Sequence, residues 1–257
     1  MDVEAVLAQL QRPATVVTRD QAVFVGTVVE VGPTTITLSE QTGAGSVEYA
    51  LQHDAIVRLE LPGRAYQFVA YDYIDSGQFA EALTVMEACY RLLKPLMGRE
   101  PEESQAYFVR YAKLLLEQGH AVRAIQVAEQ LNPHIEDRQG RELLEDTVLL
   151  GYHSLGLEQA EALATNWIAA RPDFGRSALG WYVLADIQLK SKHPGAALER
   201  ALRPVVLSSQ FPMQYLEHCY ALAVTAATQV GDPDHALTLE AEMRAHGLRW
   251  PAEIPEL

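Results

Sequence analysis

Apolar positions along the chain follow three successive rhythms. Val3, Val6, Leu7 and Leu10 fall at i, i+3, i+4 and i+7, the spacing of an amphipathic helix over residues 2–10 that Pro13 ends. From Thr15 the period shortens toward two. Val16–Thr18, Ala22–Val31, Thr34–Ser39, Ser46–Leu51 and Ala55–Leu61 are rich in Val, Ile, Thr and Tyr, the composition of short strands. Breakers at Arg19–Gln21, Gly32-Pro33 and Gln41–Gly45 separate them. Gly26, inside the second strand, predicts a sharp bend or bulge of the kind a small closed barrel needs. Leu61-Pro62-Gly63 closes this part, and helical spacing begins at Arg64.

The helical part repeats one phrase. YDYIDSGQFAEAL at Tyr71–Leu83 reads as a helix end, a tight turn at Ser76-Gly77 and a new helix start. LLEQGHAVRAI, HSLGLEQAEAL, LKSKHPGAAL and TQVGDPDHAL return to it downstream. A hairpin of this kind buries its apolar face only against its neighbours, so the phrase predicts a stacked array of about five hairpins. The third unit, near Leu143–Arg171, is looser, because Gly156 follows too soon for the usual turn. The tail RWPAEIPEL predicts a cap packed across the final hairpin, with Trp250 as a cap residue. The fold class expected is α+β, with a small antiparallel barrel over residues 1–62 and an all-α solenoid over residues 64–257.

Two family resemblances rest on these residues. VVTRDQAVFVGTVVEVGPTTITL followed by YALQHDAIVRLEL resembles the Sm-like barrel of bacterial Hfq-type proteins, with Gly26 at the bend of the second strand and Gln52-His53 before the last. That resemblance implies ring assembly through edge strands and an RNA or oligomer contact at His53. The helical part resembles tetratricopeptide repeats (TPR). Its first unit supplies Tyr66, Tyr73, Ala82 and Met86; its second, Phe108, Tyr111, Ala112, Ala124 and Pro133; its fourth, Trp181, Leu184, Ala185 and Ala197; and its last, Tyr220, Ala223, Val224 and Ala236. The resemblance implies that ligands lie along the first helices of successive hairpins. The positions it points to are Arg64, Gln67, Tyr71, Arg110, Lys113, Asp146, Tyr182, Asp186, Thr225 and Thr228.

Composition narrows the function. Formal net charge is −14, and no lysine occurs before Lys94, which works against phosphate backbones and so against RNA or DNA as partner. The two cysteines, Cys89 and Cys219, sit in apolar helical contexts and form no CxxC, so they read as buried thiols in a reduced compartment. The acidic N-terminus has no signal-peptide pattern and no run is long enough for a membrane span, so the expectation is a cytoplasmic protein without a membrane partner. No phosphate-loop, dinucleotide, zinc-protease or nucleophile-elbow motif is present, and the eight histidines are dispersed. The expectation is therefore a non-enzymatic scaffold without metal or cofactor. It binds a peptide or protein through Arg64, Gln67, Tyr71, Arg110, Lys113, Tyr182 and Asp186, and forms homo-oligomers through the barrel. The alternative is an RNA-binding post-transcriptional regulator that uses the Sm-like part.

Overall fold

The computed structural model describes residues 4–5, 8, 12–43, 45–60, 67–94, 102–171, 177–207, 213–252 and 254. Glu4, Ala5 and Ala8 are helical, and the rest of the expected N-terminal helix lies outside the described residues. Five strands follow: β1 (Ala14–Thr18), β2 (Val23–Val31), β3 (Thr35–Thr42), β4 (Gly45–Gln52) and β5 (Ile56–Glu60), with a 3-10 turn at His53–Ala55 before the last. Ten helices are described after them, in five pairs. The pairs are α1 (Gln67–Asp75) with α2 (Phe79–Leu93), α3 (Glu102–Glu117) with α4 (Ala121–Leu131), α5 (Arg138–Ser154) with α6 (Gln159–Ala169), α7 (Leu179–Lys190) with α8 (Pro194–Leu207), and α9 (Leu216–Val230) with α10 (Pro233–Ala245). The chain divides into two compact units, Met1–Thr147 and Val148–Leu257.

In the first unit the strands form an antiparallel sheet in the order β4-β3-β2-β1-β5. β4 and β5 are its edges, and no strand pairing among the described residues joins them. Alternation sets the two faces: Ala14, Val16, Ile36 and Leu38 are buried, whereas Val23 and Val25 point to solvent. The sheet coils, so the Phe24 ring on β2 reaches Tyr49 on β4 at a centroid distance of 5.1 Å although β3 lies between those strands. Gly26 is the pivot. Before it β2 pairs with β1, Ala14 opposite Gly26; after it β2 pairs with β3, Thr27 opposite Ser39. A Cβ at Gly26 would stand 2.9 Å from the Ser39 carbonyl oxygen, so the glycine serves a close backbone approach. The register shift in β2 falls instead between Val28 and Glu30.

The hairpins share one turn. At Gly77, Gly119, Gly156 and Gly231 the chain takes a left-handed residue just after the first helix. Each time two backbone bonds close the turn, for example Gly119 N–H to Leu116 O at 3.0 Å and His120 N–H to Leu115 O at 2.8 Å. This pattern satisfies the last carbonyls of the helix. The turn at Gly156 closes with the same pair, Gly156 N–H to His153 O and Leu157 N–H to Tyr152 O, which corrects the expectation that its turn would differ. In the fourth hairpin Lys192 takes the left-handed position with φ 63°, and the same two bonds form.

Small residues bring helices together. In the second unit α9 is buried all round from Cys219 to Ala227, because α8, α10 and α7 all pack on it. Ala221, Ala223, Ala226 and Ala227 permit this approach. Pro204 lies inside α8 and is buried. The tail does pack on this unit: Leu248, Trp250 and Ile254 join the core around α9 and α10, and Trp250 donates to Ile254 O at 2.7 Å. In the first unit a polar network ties the first two hairpins. The Glu87 carboxylate on α2 accepts from Tyr111 on α3 and from Arg123 on α4, and Arg123 also covers the Tyr90 ring at 5.5 Å. Burial works to raise the Glu87 carboxyl, but the bonds from Tyr111, Arg91 and Arg123 outweigh it and hold it below its usual range.

Candidate functional site

First helices carry side chains from separate stretches of sequence onto common faces, one face in each unit. In the first unit the expected residues Tyr71, Arg110 and Lys113 come together. Tyr71 on α1 meets Tyr107 on α3 edge to face at 5.8 Å. Burial raises the Tyr71 hydroxyl, and the nearby Arg110 charge works against that rise. Arg110 and Lys113 both reach Glu117, at 3.1 and 3.8 Å, so two cations share one carboxylate. Beside them a slot of about 340 Å³ runs between α3 and the start of α5, over Ala106, Val109, Ile135 and Leu143. Gly140 makes it narrow, since a Cβ there would stand 2.9 Å from Ile135. Gln67 opens α1, and its side chain lies outside what is described, as does Arg64 altogether.

In the second unit Asp186 is the centre. Its Oδ2 lies 2.7 Å from His153 Nε2 on α5 and 2.6 Å from Lys190 Nζ one turn along α7. Burial would raise this carboxyl, but the His153 and Lys190 contacts prevail and hold it below the usual carboxylate range. Tyr182, one turn before Asp186, is part of a packed aromatic group. Its ring stacks on Tyr215 at 5.8 Å and meets His218 at 4.9 Å and His153 at 5.5 Å. Tyr215 starts α9 from a left-handed backbone, φ 61°, an uncommon conformation for a residue with a Cβ. The adjoining Gln214 carbonyl accepts from Ala178 N–H at 2.8 Å, which ties the approach to α9 to the approach to α7.

Other expected positions fall elsewhere. Thr225 is buried and donates to Ala221 O, so it does not face a ligand, a correction that follows from the burial of α9 on every side. The Thr228 hydroxyl donates to Val224 O. His53 is buried in the 3-10 turn, and its backbone N–H donates to Thr34 O at 2.8 Å. Cys89 and Cys219 are both buried free thiols, and burial raises both. Among the described residues no group of three or more His, Cys, Asp or Glu side chains is placed to hold a metal ion, and no helix is long and apolar enough to cross a membrane.

Sequence reasoning missed the His153–Asp186 pair and the Tyr215–His218 contacts. Their signal was positional: His153 lies in the last turn of a first helix and Asp186 near the end of the next, so stacking the two helices places them side by side.

No protein-family profile matches the chain, and no curated protein is significantly similar to it. Among solved structures, a MamA double mutant (RS-1, ArsTM) is 13% identical, with 72% of this chain and 93% of that one covered and a TM-score of 0.51. MamA from residue 41 to its end, from Desulfovibrio magneticus RS-1, is 14% identical over 72% of this chain and 94% of that one, at a TM-score of 0.49. At these identities the likeness is one of fold. The first of the two supports a TPR-like helical-repeat architecture for the helical part.

Proposed function

We propose that the chain is a non-enzymatic scaffold that binds peptide or protein partners along the first-helix faces of its hairpins, with an Sm-like N-terminal part through which copies associate. The observation that carries the binding reading is the convergence of Tyr71, Arg110 and Lys113 on one face beside an apolar slot. Aromatic rings, shared ion pairs and an apolar floor are what an extended or helical segment needs for anchoring and register. Tyr182 and Asp186 hold the corresponding face of the second unit. Supporting the Sm-like reading are the strand order, in which β5 returns beside β1, and the bend at Gly26. The open edges β4 and β5 are the surfaces by which copies would pair.

The test selects binders from a displayed random-peptide library on the full chain. Their affinities for the chain and for the Tyr71→Ala, Arg110→Ala, Tyr182→Ala triple variant are then compared. Tyr182 is packed, so melting is followed for each protein and binding is read where both are folded. Binding should fall at least tenfold in the variant, about 1.4 kcal/mol. Equal affinity would remove these faces as the site. RNA binding at His53 is the weaker reading, because that side chain is buried and the residue next to it in sequence is the acidic Asp54. A low-salt RNA titration with no binding disposes of it.

A further inference from the structure

The slot of the first unit has a polarity that narrows what it takes, an inference that rests on the scaffold reading above. At one end stand Arg110 and Lys113; both pair with Glu117, and these three side chains together carry one net positive charge. Their side chains are 32% and 50% exposed, open to a partner. At the other end Asp137 accepts the Gly140 N–H at 2.6 Å, capping the start of α5. Gln105, only 7% exposed, lines the slot on the Asp137 side. Its Oε1 accepts the Glu136 N–H at 3.2 Å, which engages the oxygen and leaves the amide nitrogen as the end of the side chain that can act as a donor. The floor of Ala106, Val109, Ile135 and Leu143 offers no polar side chain. The volume, about 340 Å³, is at the small end of the roughly 300–1,000 Å³ of ligand sites.

We infer that this slot takes an internal peptide segment that places an acidic side chain beside Arg110 and Lys113 and an aliphatic side chain on the floor. The Gln105 amide donates to a carbonyl of the same segment. A cationic segment is disfavoured at the Arg110 end by like charge, and a wholly apolar one would bring no carboxylate to Arg110 and Lys113. The net charge of −14 works against non-specific attraction of an acidic partner, so its capture depends on a local group of cations such as this one.

The experiment uses the full chain and an array of N-acetylated, C-amidated peptides with Asp or Glu one to four residues from Leu, Ile or Val. Matched sets replace the acid with its amide or with lysine, and a parallel set has free C-termini. Capped acidic–aliphatic peptides should bind at least tenfold better than their amide partners. Arg110→Gln with Lys113→Gln should erase that difference, and Arg110→Glu with Lys113→Glu should turn the preference toward lysine peptides. Capped peptides that bind alike with acid or amide would overturn the inference and leave the scaffold reading standing. Binding confined to free C-termini would also overturn it, since a terminal carboxylate would then be the ligand. If no peptide binds in any set, the inference falls, and the scaffold reading falls with it only when the random library also yields no binder.

Discussion

Asp186 illustrates how a single side chain here depends on its neighbours. Its carboxyl sits below the usual range because His153 and Lys190 favour the charged form more than burial opposes it. A carboxyl lowered on folding contributes stability above its unfolded value of about 4, and that stability is lost as pH falls through the folded value. Asp186→Asn should therefore cost about 1–3 kcal/mol at pH 7 in denaturant unfolding. The gap from the parent should narrow progressively below about pH 4. A gap that stays constant to pH 2 would mean that the ion pairs do not govern Asp186. Gly26 makes the steric counterpart. Gly26→Ala drives a methyl group against the Ser39 carbonyl, and an overpacking cost of about 2 kcal/mol is expected. An unchanged melting curve would show that β2 can yield there.

At the scale of elements, the turn between paired helices decides what was legible. Four of the five turns announce themselves by glycine, the residue that takes a left-handed conformation without steric cost. The fourth hairpin hides the same geometry under Lys192, so its turn is legible from the recurring phrase LKSKHPGAAL and not from a glycine at the left-handed position. Lys192→Gly should stabilise the chain by about 1 kcal/mol, and Gly119→Ala should destabilise it by a similar amount. Equal stabilities in urea would show that the turn relaxes. Strands β1 to β5 were legible to within a few residues, because alternation and breakers are local signals. The coiling that brings Phe24 to Tyr49 was not, since it depends on how far the sheet turns between β2 and β4. The site was legible in part for the same reason. Arg110 and Lys113 declare themselves by spacing on one helix. His153 and Asp186 are 33 residues apart and meet only after two hairpins have stacked.

For the whole molecule, composition carries expectations rather than a site. A net charge of −14 disfavours phosphate backbones, and repeated hairpins offer surfaces on which partners are expected. Association of copies through β4 and β5 is a separate expectation. The exposed valines Val47 and Val57 lie on those strands, so Val47→Lys with Val57→Lys should reduce the particle mass measured by light scattering. A parent chain that is already monomeric would remove the assembly. The central claim is that partners lie on the first helices. Methyl-labelled NMR of the full chain, titrated with a peptide selected from the library, reads this directly. Shifts should gather at Ala106, Val109, Ile135 and Leu143 in the first unit, with or without a second group near Tyr182 in the other. Shifts confined to the sheet, or to the exposed sides of α2, α4, α6, α8 and α10, would contradict the account.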